Sequence, residues 1–340
     1  MKKIAKSNLP ELLAAMAARG KVYCPQLDGA GGSKFAPWTP GTPVAQGCNT
    51  RLGPKGLFFP QTEELVRFRV SGKELEIREA ELREEPFVVF GVRACDCRAL
   101  EILDRVFLSE PVDGFYKDRR DHGVVVTLAC SQPEETCFCG TFGIDLTNPQ
   151  GDVTAWEAED CLWFRANTEK GRELMERLPL EDGEDAAVER AREEAREIAG
   201  RLPLHGLTTK GFERGRMLEL FRRPEWAGLS ESCLGCGTCT FVCPTCQCYD
   251  VKEFDNGREV CRFRCWDSCM YSDFTLMSAG QPRPTQKERF RQRFMHKLQY
   301  FSDNNEGIYG CVGCGRCLRQ CPIHMNIVKV MKTLGGGEDA

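Results

Sequence analysis

The sequence predicts an α+β protein: an N-terminal mixed α/β domain followed by a helical domain bound together through its cysteines. Three observations lead there. Two β-branched or aromatic runs, Phe87–Val92 and Val124–Leu128, flank a segment of helical periodicity, which is a strand–helix–strand pattern. Residues 230–330 hold thirteen of the 21 cysteines. Within that stretch one cysteine motif occurs twice, at Cys233 and again at Cys311.

Taken in order, Leu9, Leu12, Leu13, Met16 and Ala17 predict an amphipathic first helix, with Pro10 in its first turn. The chain starts basic, and Ala15-Met16-Ala17 has a small-x-small pattern. Asn8, Pro10 and Glu11 interrupt the apolar stretch, so a secretory leader is not expected. Gly29–Gly47 reads as a loop rich in Gly and Pro. Its Gly29, Gly31 and Gly32 are followed by Lys34, which spoils a dinucleotide fingerprint, and no Walker A or G-x-S-x-G motif follows. Leu65–Val70, Phe87–Val92 and Val124–Leu128 are apolar runs, the last two expected as strands; Ala99, Leu100, Ile102, Leu103, Val106 and Phe107 mark a helix between those two. Glu184–Ala199 alternates acids and arginines along a thin stripe of Ala187, Ala191, Ala195 and Ile198. It predicts an exposed connecting or packing helix that stops at Gly200 and Pro203. The expected divisions are 1–165, a mixed α/β domain; 166–225, a charged helical connector; 226–332, the cysteine-rich helical domain; and 333–340, a disordered tail.

Composition narrows the function. Hydrophobic residues make up 41% of the chain, enough for a real core, and a net charge of −4 argues against nucleic-acid binding. No apolar run reaches the length of a membrane span. An odd, clustered set of cysteines is unlike a secreted disulfide framework, so a cytoplasmic, low-oxygen setting is expected.

Cys233, Cys236, Cys239 and Cys243, followed by Pro244, have the spacing C-x2-C-x2-C-x3-C. Cys311, Cys314, Cys317 and Cys321, followed by Pro322, repeat it. This is the ligand spacing of [4Fe-4S] ferredoxins, in which the fourth cysteine of each motif serves the other cluster. It assigns Cys233, Cys236, Cys239 and Cys321 to one cluster, and Cys311, Cys314, Cys317 and Cys243 to a second. Gly235, Gly237, Gly313 and Gly315 let the loops bend and keep amide N–H groups near the sulfides. Zinc prefers two C-x2-C pairs or mixed Cys/His sets. The motifs are 67 residues apart, and the insert carries Phe290, Phe294, Leu298 and Phe301 at helical spacing, which resembles an α-helical ferredoxin-like two-cluster arrangement. Arg283, Lys287, Arg289, Arg291, Arg293 and Lys297 are expected on its outer positions. There they would offset cluster charge, dock an acidic partner, or form a solvated face.

The other cysteines are more open. Cys95 follows the run at 87–92, Cys130 follows that at 124–128, and Cys137 and Cys139 form a C-x-C. If the two strands are neighbours, these four converge, and spacing alone permits a third cluster or isolated thiols. Cys246, Cys248, Cys261, Cys265 and Cys269 permit extra ligation or packing. Cys24, Cys48 and Cys161 have no partner by spacing, and Cys97 is expected to pack on the helix. His122, His205, His296 and His324 are expected to be noncoordinating.

Several segments resemble a known family. CLGCGTCTFVCPTCQCYDV, CWDSCMYSDFTLMSAG, RQRFMHKLQYF and CVGCGRCLRQCP are similar to the beta subunit of soluble NiFe hydrogenases, or sulfhydrogenases, and equally to the A component of anaerobic sulfite reductase. FFPQTEEL at 58–65, GVRACDCRALEILDRVFL at 91–108 and CSQPEETCFCGTFG at 130–143 extend the resemblance over most of the chain, weakest in 145–225. The resemblance implies a cytoplasmic electron-transfer subunit set between an FAD-containing, NAD(P)H-binding partner and a catalytic partner; FAD belongs to the first of these, not to this chain. It favours a third [4Fe-4S] cluster on Cys95, Cys130, Cys137 and Cys139, and marks Cys246, Cys248 and Cys269 as possible extra ligands. No catalytic residue is expected in a relay of this kind. A catalytic reductase with an unusual cluster built from the surplus cysteines is the alternative, and a zinc-stabilised scaffold is a third reading.

Overall fold

The computed structural model describes residues 1–29, 31–47, 49–82 and 85–335. Cys48, and residues 336–340 of the tail expected to be disordered from 333, lie outside the described residues; Thr333 and Leu334 instead complete the helix Ile327–Leu334, where Leu334 is buried.

A mixed eight-stranded sheet carries the N-terminal half. Its strands are β1 (Lys2–Ala5), β2 (Lys21–Leu27), β3 (Ser33–Pro37), β6 (Phe87–Val92), β7 (Gly123–Leu128), β8 (Val153–Ala158), β9 (Cys161–Ala166) and β10 (Glu181–Asp182), in the order β10-β1-β9-β8-β7-β6-β2-β3. The centre, β2-β6-β7-β8, is parallel. Parallel strands need cover on both faces, and β7 is buried along its whole length. One face packs Val88, Phe90, Val124 and Val126 against Leu12, Leu13 and Met16 of the helix Leu9–Ala17. The other packs Val89 and Val125 against Leu100, Leu103 and Phe107 of the helix Ala94–Phe107. Cys97 is buried in that second layer.

The charged helix spans Ala186–Gly200 and sets Ala187 and Val188 against Trp156 and Trp163, so its apolar stripe seals the antiparallel end of the sheet. The preceding β10 pairs with β1.

A second sheet joins the two halves. It contains β4 (Thr62–Ser71), β5 (Glu74–Glu79), β11 (Tyr249–Asp255) and β12 (Glu259–Trp266), ordered β11-β12-β4-β5 and antiparallel throughout. β4 comes from within the connection between β3 and β6 and β12 from between the two cysteine motifs. The β11–β12 hairpin turns at Asn256-Gly257, where Gly257 has φ +79°, the left-handed geometry this turn needs. Cys261 and Cys265 lie on β12, and Arg264 ties the sheet to the first half through Glu63 and Asp113.

The remaining core is helical. Phe290 and Phe294 of the helix Gln286–Met295, with Leu298, pack against Trp226, Leu220, Ile327 and Met331. The expected periodicity at 290–301 is present, continuing through one π-helical turn, His296–Tyr300. Thr285 and Glu288 close its N-terminus as a reciprocal capping box.

Candidate iron–sulfur centres

Cys233, Cys236, Cys239 and Cys321 line one cavity, closed by Met270, Phe290, Arg293 and Phe294. The two halves of this set come from opposite ends of the insert. The loop of the first three turns at Gly235 and Gly237, with φ +66° and +73°. A Cβ at Gly237 would stand 2.7 Å from the Tyr271 ring. Gln286 Nε2 donates to Cys233 Sγ at 3.3 Å. Cys236 is exposed, and Leu234 beside it is 66% exposed, so this set meets the surface.

Cys243, Cys311, Cys314 and Cys317 form a deeper group, each within range of the others' charge. Cys239 also feels Cys243, which places the two groups side by side.

Cys95, Cys130, Cys137 and Cys139 line a third cavity. β6 and β7 are parallel neighbours, Val88 opposite Val124, so the segments after both strands leave from the same edge. Gly313 and Cys314 of the second group line this cavity as well. The contact is a backbone one. Phe138 N–H donates to Gly313 O at 2.9 Å, and Asn49 Nδ2 donates to Cys314 O at 2.6 Å. Gly313 and Gly315 have φ +59° and +72°, and a Cβ on either would come within 2.4–2.5 Å of the Phe138 or Thr136 carbonyl oxygen. Only glycine fits so close an approach.

One buried ion pair clamps the second group to the third. Arg316 Nη1 and Nη2 bind Asp96 at 2.5 and 2.7 Å, and its Nε donates to Thr50 O at 2.7 Å. Arg316 stands between Cys314 and Cys317, and Asp96 follows Cys95 directly.

Positive charge inside the helical region departs from the sequence expectation. Sequence places Arg293 and Lys297 on outer positions; both are 3% exposed and face sulfur. Burial alone would lower the Lys297 ammonium, yet Cys243 and Cys246 beside it hold it above its ordinary range. Burial works against Arg293 too, and Cys239 and Cys317 more than compensate. Burial pushes the Cys311 thiol up to about 12 and raises Cys95, Cys239 and Cys314. Thiolates at such positions need compensating cations, and Arg293, Lys297 and Arg316 supply them.

These residues suit iron–sulfur clusters. Arg293 Nε and Nη1 are buried without a hydrogen-bond partner while Arg293 lines the first cavity, as donors to an anionic group there would be. Among the described residues, no three His, Cys, Asp or Glu side chains converge to hold a single metal ion. Zinc needs such a point, whereas a cubane's ligands stand further apart. A bound [4Fe-4S] cluster supplies one-electron transfer. The chain's own part is to hold it through thiolates, exclude water and set the surrounding charge.

Other sequence expectations settle simply. Cys24 is in the sheet core, and Cys261 and Cys265 lie on β12 and line neither cysteine cavity. Burial pushes His296 down to about 4, so it is neutral and packs edge-on to Phe301. Cys243 lies against Cys246, and Cys248 against Cys269. Sequence reasoning missed Asp96, Lys55 and Asn49, whose spacing holds no signal. It also missed Arg316, although a cation inside the second motif was visible.

The fold and its cysteine sets define a 4Fe-4S dicluster electron-transfer protein. Residues 232–325 match the family described as the 4Fe-4S dicluster domain. The chain is 34% identical over 292 residues to Sulfhydrogenase 2 subunit beta of Pyrococcus furiosus, covering 85% of this chain and 84% of that one. It belongs to the sulfhydrogenase beta subunit family. No solved structure matches it. Among the described residues, no helix is long and apolar enough to cross a membrane.

Proposed function

We propose that this chain is the iron–sulfur relay of a cytoplasmic multi-subunit oxidoreductase, passing electrons between an FAD- and NAD(P)H-binding partner and a catalytic partner. Cys233, Cys236, Cys239 and Cys321 hold one [4Fe-4S] cluster. Cys311, Cys314, Cys317 and Cys243 hold the second. Cys95, Cys130, Cys137 and Cys139 hold a third. The relative's name makes it the beta subunit of a sulfhydrogenase, so a hydrogenase-type complex is the natural setting. The C-terminal part acts as an α-helical ferredoxin-like domain docked on the N-terminal α/β domain.

One observation carries the reading: the three groups are in series. The third cavity shares Gly313 and Cys314 with the second group, and Cys239 of the first group lies beside Cys243 of the second. Cys236 brings the first group to the surface. That ordering suits a wire with one end at the first group. Iron, acid-labile sulfide and EPR on anaerobically purified protein test it. About 12 iron atoms per chain are expected; about 8 would confine the relay to the two C-terminal centres.

A further inference from the structure

Three cysteines beside the relay are not used by it: Cys246, Cys248 and Cys269. Cys248 immediately precedes β11 and Cys269 follows β12, so the hairpin brings them together. Tyr249 pairs with Trp266, and Asp267 N–H donates to Cys248 O at 3.0 Å. The Cys248 and Cys269 side chains lie against each other. Cys246 lies against Cys243, and its charge reaches Cys269. Cys246 therefore links a proposed cluster ligand to this pair electrostatically.

Two buried cations flank it. Lys55 arrives from the first half of the chain, its Nζ 3.0 Å from Cys246 O and 3.6 Å from the Trp266 ring centre. The charges that reach it are those of Cys246, Cys243, Lys297 and Cys248. Lys297, also buried, acts on Cys248 as well. A paired thiol beside cations is the setting that favours thiolate and disulfide exchange. Cys269 is buried, whereas Cys248 is half-buried.

We propose that Cys248 and Cys269 are a redox-active dithiol, opening and closing as a disulfide in exchange with the C-terminal clusters. The proposal rests on the relay reading and adds a two-electron store to a one-electron wire. On oxidation two S–H bonds are lost and one S–S bond forms. Two protons leave through Cys248, and two electrons pass one each to two oxidised clusters. Reduction reverses every term.

The test uses anaerobic holoprotein poised at set potentials with viologen mediators, acid-quenched, alkylated and examined by peptide mass spectrometry. The ratio of linked Cys248–Cys269 peptide to the doubly alkylated form should change tenfold per about 30 mV. Cys248→Ser should abolish the linked peptide with iron per chain unchanged, and Cys269→Ala repeats the check if the first variant fails to fold. Full alkylation at every potential overturns the proposal in favour of packing thiols. Loss of iron in a folded variant overturns it in favour of ligation. Fewer than about 8 iron atoms in the wild type would instead bring down the relay, whatever the dithiol does.

Discussion

The C-terminal and N-terminal cysteine groups are built in opposite ways. In the C-terminal half, each motif packs three cysteines into seven residues, and a glycine loop curls them toward one another. Only the fourth position is exchanged across the 67-residue insert. In the N-terminal half, Cys95, Cys130 and the Cys137/Cys139 pair sit on separate loops, and parallel β6 and β7 bring those loops together. The first design depends on local chain geometry, the second on the sheet. The N-terminal group should therefore be the more sensitive to anything that disturbs domain docking.

The largest effect should come from Cys236→Ser. It should remove about four iron atoms and stop end-to-end transfer, read by iron content and dye reduction in the assembled complex. Normal turnover with that iron missing would disconnect the first group from the wire. Cys137→Ser should lower iron from about 12 to about 8 and leave both C-terminal EPR signals intact. Collapse of all three signals would mean that the third group also holds the other two together.

The clamp tests the contrast directly. Arg316→Ala leaves Asp96 buried and unpaired, which should cost about 3–5 kcal/mol in denaturant unfolding. It should loosen the N-terminal centre first. A smaller electronic effect is expected from Arg293→Met. Removing a buried positive charge beside the first group lowers the cluster potential, by about 2–3 kcal/mol per electron at an effective dielectric near 20, or on the order of 100 mV. An EPR-monitored redox titration reads the shift; an unchanged potential would make Arg293 a packing residue. Gln286→Leu removes one N–H···S bond to Cys233 and should cost about 1 kcal/mol of stability, with a small fall in the same potential.

Legibility followed the same divide. The strands at 87–92 and 124–128 and the helical periodicities at 9–17, 99–107 and 290–301 were readable, because apolar periodicity is a local signal. The β11–β12 hairpin was missed even though Asn256-Gly257 announces it, since cysteine content drew the reading of that segment toward metal. Arg293 and Lys297 were misplaced for a related reason. A basic helix face usually meets solvent, and only a buried anionic centre reverses that rule.

By itself the sequence determined the twin motifs, the iron–sulfur chemistry they specify and the α/β character of the first half, because each depends on residues near one another along the chain. Tertiary structure alone decided that Cys95 meets Cys130, that Arg316 locks to Asp96, and that Lys55 reaches Cys246 from the far half of the chain. Contacts of that kind leave no periodicity and no spacing in the sequence. They exist only once β6 lies beside β7 and β4 pairs with β12, which turns residues remote along the chain into neighbours.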